Sequence, residues 1–362
     1  MPKAIGLITT NYSTAAKDDV FSGRPVASMP YLGRYRLVDF ALSNMVNAGI
    51  RNVGMIFPVN YRSLVDHLGS GKDWDLDRKN GGLFIMPGTA FGTSRTGARF
   101  LIRDLVQNRE FFVKNHERYV VLASGNFVAN VDVKKLVAAH QASGAAVTVL
   151  TKTARKADLD VVRFDVEDGR VKGMGQGVEF GDTAFLDYAV IERELLLERL
   201  DAYAAIDHLD FFEALSADFD HCLVMTADFD GYAAPIFDKA SYFASNIDLL
   251  DLDVLSELTP EDRPIKTKAH DNPPAKYEPG AKVSNSLVSS GDRIYGAVDG
   301  CVLGRDVIVE AGASVRNAIL MQGVVVKTGA TIENAIIDKN NVVPAGTELR
   351  GTDGDILYLM KN

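Results

Sequence analysis

Six histidines and two cysteines are the side chains of this 362-residue sequence best suited to ligate a metal or attack a substrate, and their spacing supports neither role. No histidines stand at a metal-type interval. Cys222 and Cys301 form neither a metal motif nor a disulfide framework, and read as two reduced thiols. Asp39 opens a helical stretch, where an acid caps or pairs locally more readily than it does chemistry. The net charge is −9 and the pI about 5.2. Nucleic-acid affinity draws on Lys and Arg, so nucleic acid is excluded as the main partner. A small basic pocket for a phosphorylated metabolite is not. No apolar run approaches the roughly 18 residues that cross a bilayer, and Ala4 to Ile8 is too short for a signal sequence. The expectation is a soluble cytoplasmic protein with no membrane partner.

The elements that must position any site begin with a buried strand at 4–8 and a loop from Thr9 to Ser13. Leu37 leads a helix that Gly49 stops. Val53 to Phe57 is a strand, followed by a helix with Leu64, Val65 and Leu68 on one face. Ala98 to Val113 and Val133 to Ser143 read as helices, each followed by a strand, Tyr119 to Ala123 and Ala146 to Leu150. Such alternation predicts a Rossmann-like α/β domain with a mostly parallel sheet. Asp168-Gly169 lies between Val161–Val166 and Arg170–Lys172 and predicts a hairpin. Helices are expected over Glu192–Leu200, Phe211–Ala217 and Ser241–Leu250. Prolines and few apolar side chains mark 259–280 as a linker. The expected domains are 1–258 and 281–362.

The second domain rests on a repeat. Counting in sixes from Cys301 gives Val307, Ala313, Ile319, Val325, Thr331, Ile337, Val343 and Leu349, apolar except for Thr331. Gly312-Ala-Ser-Val-Arg-Asn-Ala-Ile-Leu320 is answered by Gly329-Ala-Thr-Ile-Glu-Asn-Ala-Ile-Ile337, a step of 17. Hexads of this kind build a parallel β-helix, left-handed in hexapeptide-repeat proteins. Acyltransferases on that fold need a base, usually His, and the coils contain none. An assembly role follows, because each end of a β-helix needs a cap or a partner.

Gly33-Arg34-Tyr35-Arg36-Leu37-Val38-Asp39-Phe40-Ala41-Leu42-Ser43-Asn44, continued by Asn47-Ala48-Gly49-Ile50, resembles the corresponding segment of the ADP-glucose pyrophosphorylases (glucose-1-phosphate adenylyltransferases). Ser63 to Leu68 with Trp74, Val120 to Gly125, and Ser241-Tyr242 with Asn246 to Leu250 resemble further segments of that family. The resemblance spans nearly the whole chain. It implies nucleotidyl transfer from ATP to glucose 1-phosphate, with carboxylate-held Mg²⁺ and a glycine-rich loop against the triphosphate.

The family's chemistry is missing, motif by motif. Where it has G-G-x-G-[ST]-R-L, this chain has Gly6-Leu7-Ile8-Thr9-Thr10-Asn11-Tyr12. Its K-P-A-V-x-F lysine has no counterpart in Val26 to Tyr31. Its metal-binding Asp after the central strand is Asn126. F-x-E-K-P has no match in Val178 to Asp182, and S-M-G-x-Y appears as Ala184 to Tyr188, with Leu186 at the glycine. In Ala233 to Asp238, Pro235 falls where the second metal-binding Asp of W-R-D-V-G-T would stand. Asn126 and Pro235 are thus degenerate positions, and no catalytic or metal-binding residue is assigned. The pattern resembles the non-catalytic partner subunits of this family. It implies a regulatory chain in glycogen biosynthesis that binds no cofactor, in a mixed tetramer with a catalytic subunit that uses Mg²⁺. The resemblance also makes Arg34 and Arg36 candidates for a phosphorylated-sugar effector, and Thr96, Gly97 and Ala98 candidates for residual nucleotide binding. The alternative is a slow adenylyltransferase using other carboxylates, such as Asp228 or Asp230.

Overall fold

The computed structural model describes residues 4–11, 19–21, 23–89, 98–352 and 354–361. Its first half follows the alternating pattern. The elements are β1 (Ala4–Thr9), α1 (Leu37–Asn47), β2 (Asn52–Phe57), α2 (Arg62–Leu68), β3 (Gly82–Pro87) and β4 (Tyr119–Ser124). After them come α3 (Val133–Ser143), β5 (Val147–Thr153), β6 (Asp158–Glu167), β7 (Arg170–Val178), β8 (Thr183–Glu192), α4 (Arg193–Tyr203), β9 (Val224–Asp228) and α5 (Lys239–Asp248). Among the described residues nine strands form one sheet, in the order β3-β2-β1-β4-β8-β5-β9-β7-β6.

The sheet is mixed. β3, β2, β1 and β4 run parallel, as do β5 and β9. β8 enters antiparallel between β4 and β5. The β6–β7 hairpin adds antiparallel pairing at the far edge. Its turn is built by Asp168 and Gly169, both in the left-handed region at φ 49° and 75°, the conformation that matches strand twist. Both sheet faces are covered. Along β4, Val121 and Ala123 pack into one core and Val120 and Leu122 into the other, so the strand reads as one apolar run.

One helix differs from expectation. Ala98–Val113 is not continuous: helices cover Ile102–Gln107 and Arg109–Lys114. Asn108 interrupts them, its side chain donating to the carbonyls of Asp104 and Pro87.

The C-terminal region is a parallel β-helix whose coils step by 15 residues at Lys282–Ala297 and Arg293–Ile308 and by 17 from Ala297 to Glu348. Ala297 pairs with Ser314, Ser314 with Thr331, and Thr331 with Glu348. The pairing begins at Lys276–Tyr277, within the segment read as linker. Because the step is 17, a count in sixes slips between the interior ladders at Ile319, Val325 and Thr331 and falls on a second ladder at Ile337 and Val343. Val325 and Thr331 are half-buried, while Val324, Val326, Ala330 and Ile332 fill the prism. The interior ladders are Val298–Val315–Ile332, Leu303–Leu320–Ile337 and Val309–Val326–Val343, all buried.

The two regions share a core. Val302, Ile319 and Ile336, a ladder on the outside of the coils, pack with Tyr31, Leu32, Tyr242 and Phe243. Gly33 allows this approach. It has φ 68°, and a Cβ there would lie 2.3 Å from Ser289 Oγ and 2.4 Å from the Leu303 carbonyl. Arg24 forms a buried pair with Asp338 at 2.8 Å, and Tyr358 donates to the same carboxylate. Residues 264–269 are strapped across the first domain rather than hanging between domains. Asn47 donates to the Pro264 carbonyl, the Lys266 N–H to Ser43 Oγ, and the Ala269 N–H to Asp73.

Candidate functional site

Two regions bear on function: a cleft around Asn126 and Pro235, and a pocket at the junction of the domains. Asn126 follows β4, and its carbonyl accepts the Ile236 N–H at 2.9 Å. A short pairing of Phe127–Ala129 with Ala233–Pro235 fixes this arrangement. The two degenerate positions therefore lie side by side.

The Asn126 side chain is fully buried. Its amide oxygen lies 2.6 Å from Ser124 Oγ, which lies 2.8 Å from Asp187 Oδ2. The hydroxyl has one proton and faces two acceptors, while Asn126 Nδ2 is buried without an acceptor. Exchanging the ends of the amide resolves both problems. Nδ2 then donates to Ser124, and Ser124 donates to Asp187. An aspartate at 126 has no N–H for this relay.

Asp187 sits in β8 at φ 53°, within a register shift between Phe185 and Ala189. Burial pushes its carboxyl up to about 6, against the pull of Arg99 and Ser124. Arg99 Nε lies 3.3 Å from Asp187 Oδ2. The Arg99 guanidinium stacks 4.2 Å from the Phe237 ring centroid and donates to the Asp160 carbonyl at 3.0 Å.

Mg²⁺ prefers carboxylate oxygens in octahedral geometry. An amide and a proline occupy the two positions where the family resemblance would place acids, and the buried carboxylate here is already paired with a guanidinium. These residues do not fit the ion. Asp228 and Asp230 are both exposed. Asp228 accepts from Thr151 Oγ1, and neither acid lines the cavities beside Pro235. One of those cavities, about 130 Å³, is walled by Phe127, Val161, Val178, Leu186 and Pro235, with Lys152, Arg155 and Lys156.

The start of the first loop is pinned. Thr10 donates twice to the Ile56 carbonyl. Asn11 donates to Asp104 Oδ2 at 2.6 Å, and Asp104 also accepts the Thr89 N–H. Tyr12 and Ser13 lie outside the described residues, as do Thr96 and Gly97. Ala98 lines a separate cavity of about 350 Å³ with Arg99, Phe100 and Asp187.

The junction pocket has a different character. Its lining includes Arg34, Arg36, Lys268, Arg305 and Lys339, with His67 and His270, and a single acid, Asp66. It thus brings Arg34 and Arg36 together. Arg34 is exposed and lies over the Tyr35 ring. Arg36 is half-buried and donates to the Ser63 carbonyl at 2.6 Å. Asp39 caps α1 through the Arg36 N–H and holds His67 at 2.6 Å, so its role is local. Arg36 and Arg305 are both driven downward, first by burial and then by their basic neighbours. Burial, with the charges of Arg36 and Arg24, pushes Lys339 down to about 8. None of the five Lys and Arg side chains forms an ion pair among the described residues. Concentrated positive charge with little compensation attracts an anion.

Sequence reasoning missed Lys268, His270, Arg305 and Lys339. A signal existed for two of them. Arg305, Gln322 and Lys339 occupy one coil position at the 17-residue step and all line the pocket. Lys268 and His270 come from the strap and carry no comparable signal.

Residues 23–175 match the nucleotidyl transferase family model, and residues 273–355 match that of the GlmU-like C-terminal hexapeptide. The chain is 33% identical to a glycogen biosynthesis protein GlgD from Geobacillus stearothermophilus, over 86% of this chain and 83% of that protein. It is 29% identical to the GlgD of Bacillus subtilis, over 86% and 82%. It is 32% identical to a glucose-1-phosphate adenylyltransferase from Thermosipho africanus, over 78% and 71%. No helix among the described residues is long and apolar enough to cross a membrane.

Proposed function

The chain belongs to the ADP-glucose pyrophosphorylase and GlgD family, and from that premise we propose that it is a regulatory, catalytically impaired subunit in glycogen biosynthesis. Its role is to activate or tune a catalytic ADP-glucose pyrophosphorylase subunit within a cytoplasmic hetero-oligomer, a tetramer of mixed subunits. Mg²⁺ serves the catalytic partner, not this chain. The domains are residues 1–258 and 281–362, and the joining segment 259–280 also supplies the first β-helix strand, Lys276–Tyr277. The observation that carries the reading is the contrast between the cleft, where Asn126 and Pro235 stand at the metal positions, and the junction pocket, which keeps five cationic side chains.

The junction pocket is the effector site in this reading. Arg34, Arg36, Lys268, Arg305 and Lys339 bind a phosphorylated sugar, whose phosphates supply the missing negative charge. The pocket's five cations come from three parts of the chain: the α1 entry, the strap and the β-helix. An anion there favours one relative placement of the three, which the partner subunit reads. Coupling of about 1–3 kcal/mol gives a 5- to 150-fold effect.

The test is Mg²⁺-dependent ADP-glucose formation, with this chain titrated against its cognate catalytic subunit and also assayed alone. The expected result is no turnover alone and stimulation that saturates near equimolar mixing. Robust turnover by the isolated chain would overturn the reading in favour of a slow adenylyltransferase.

A further inference from the structure

The cleft is not merely stripped of its acids; it contains a cation of its own. Arg99 is buried, with 5% of its side chain exposed. It touches neighbours of both altered positions. On one side it meets Asp187, and through Asp187 and Ser124 it reaches Asn126. On the other its guanidinium lies against Phe237, two residues beyond Pro235. Its backbone is fixed independently of the side chain. Asp210 Oδ2 accepts the N–H groups of Arg99 and Phe100 at 2.9 and 2.8 Å. The same carboxylate caps the helix Phe211–Leu215 through Phe212.

We propose that Arg99 is a built-in cation beside the altered cleft, clamped between Asp187 and Phe237, and that its removal leaves a site for a small free cation. The inference rests on reading this cleft as the altered transfer site. It does not depend on the regulatory role. A buried guanidinium paired with a carboxylate and stacked on an aromatic ring is held by charge and shape together. Taking it away leaves Asp187 buried without its cation and Phe237 without its stacked partner. The relay from Asn126 then ends on an uncompensated carboxylate.

The experiment is chemical rescue in the full-length chain, read as thermal stability. Arg99→Ala should lower the Tm, and millimolar guanidinium chloride should raise it again in a saturable way. Urea, the neutral isostere, should have no effect on Arg99→Ala at the same concentrations. The unmodified chain should gain nothing from guanidinium. Arg99→Lys should retain more of the Tm than Arg99→Gln. An unchanged Tm in Arg99→Ala, or equal shifts with urea and guanidinium, would overturn the proposal. If Arg99→Ala fails to fold, the Lys and Gln variants decide: equal stability of the two removes the role of charge. None of these readouts uses catalysis or a partner subunit, so their failure is distinguishable from failure of the regulatory reading.

Discussion

Arg99 in the cleft and Lys339 at the junction are both cations largely withdrawn from solvent, but among the described residues Arg99 has a carboxylate within ion-pair distance and Lys339 has none. Lys339 instead has Arg36 and Arg24 among its nearest charges, with Asp338 committed to Arg24. The cleft cation is matched by a carboxylate and an aromatic ring. The junction cations Arg36, Lys268 and Arg305 donate only to the neutral carbonyls of Ser63, Asp66 and Arg34 among the described residues. Like charges gathered at one place cost stability, and a ligand of opposite sign relieves that cost. In the proposed reading, uncompensated charge rather than a motif marks the site that binds.

Three measurements can break or sharpen this contrast. The largest effect belongs to Asn126→Asp. It replaces the amide donor with a second carboxylate facing the Ser124 hydroxyl, and should lower stability by about 3 kcal/mol in denaturant unfolding. It should not create ADP-glucose synthesis. The loss should also depend on pH. Asp187 has a native pKa raised to about 6 from 3.8, so burial of its charged form costs stability above pH 6. A second carboxylate at 126 raises that cost further in the variant, so as the pH falls from 6 towards 4 the native variant takes up a proton before its unfolded chain does, and the extra loss relative to the parent shrinks. A variant as stable as the parent would mean that the relay is not set as described.

Arg305→Ala should act the other way round. It should leave folding nearly unchanged and weaken the binding of a sugar bisphosphate by about 10- to 100-fold, as expected for one charge-assisted contact. Calorimetric titration checks this, and unaltered affinity would remove the junction as the anion site. The smallest effect is that of pH on the same titration. Lys339 titrates near 8 in the free chain, and a bound anion raises that value. Below pH 8 the lysine is charged with or without ligand. Above it, binding must take up a proton, so affinity should fall by at most about tenfold per unit as the pH rises. A flat profile from pH 7 to 9.5 would show that Lys339 does not face the ligand.

The legible parts of this molecule are those where one residue type has one physical consequence. The Asp168-Gly169 turn, the apolar strands β1 and β4 and the helix stopped by Gly49 could be read directly. Asn126 was singled out by the resemblance, and the structure adds that it lies beside Pro235. The helix break at Asn108 was hidden, since it depends on a bond to Pro87, a neighbour 21 residues away. Arg99 was hidden for the same reason: its partners Asp187 and Phe237 arrive from β8 and from the segment before α5. The hexad count misplaced Val325 and Thr331 because a single missing residue per coil accumulates, whereas the 17-residue echo gave the true step.

The bond between Arg24 and Asp338 joins positions 314 residues apart. During synthesis at about 5–20 residues per second, roughly 15–60 s separate the emergence of the first partner from that of the second. For that interval Arg24, Tyr31 and Leu32 have no coil to pack against. The first domain therefore waits on the ribosome with an apolar, positively charged seam open, and it is completed only when the last coils are translated. A truncation in those coils would damage the beginning of the chain as much as its end.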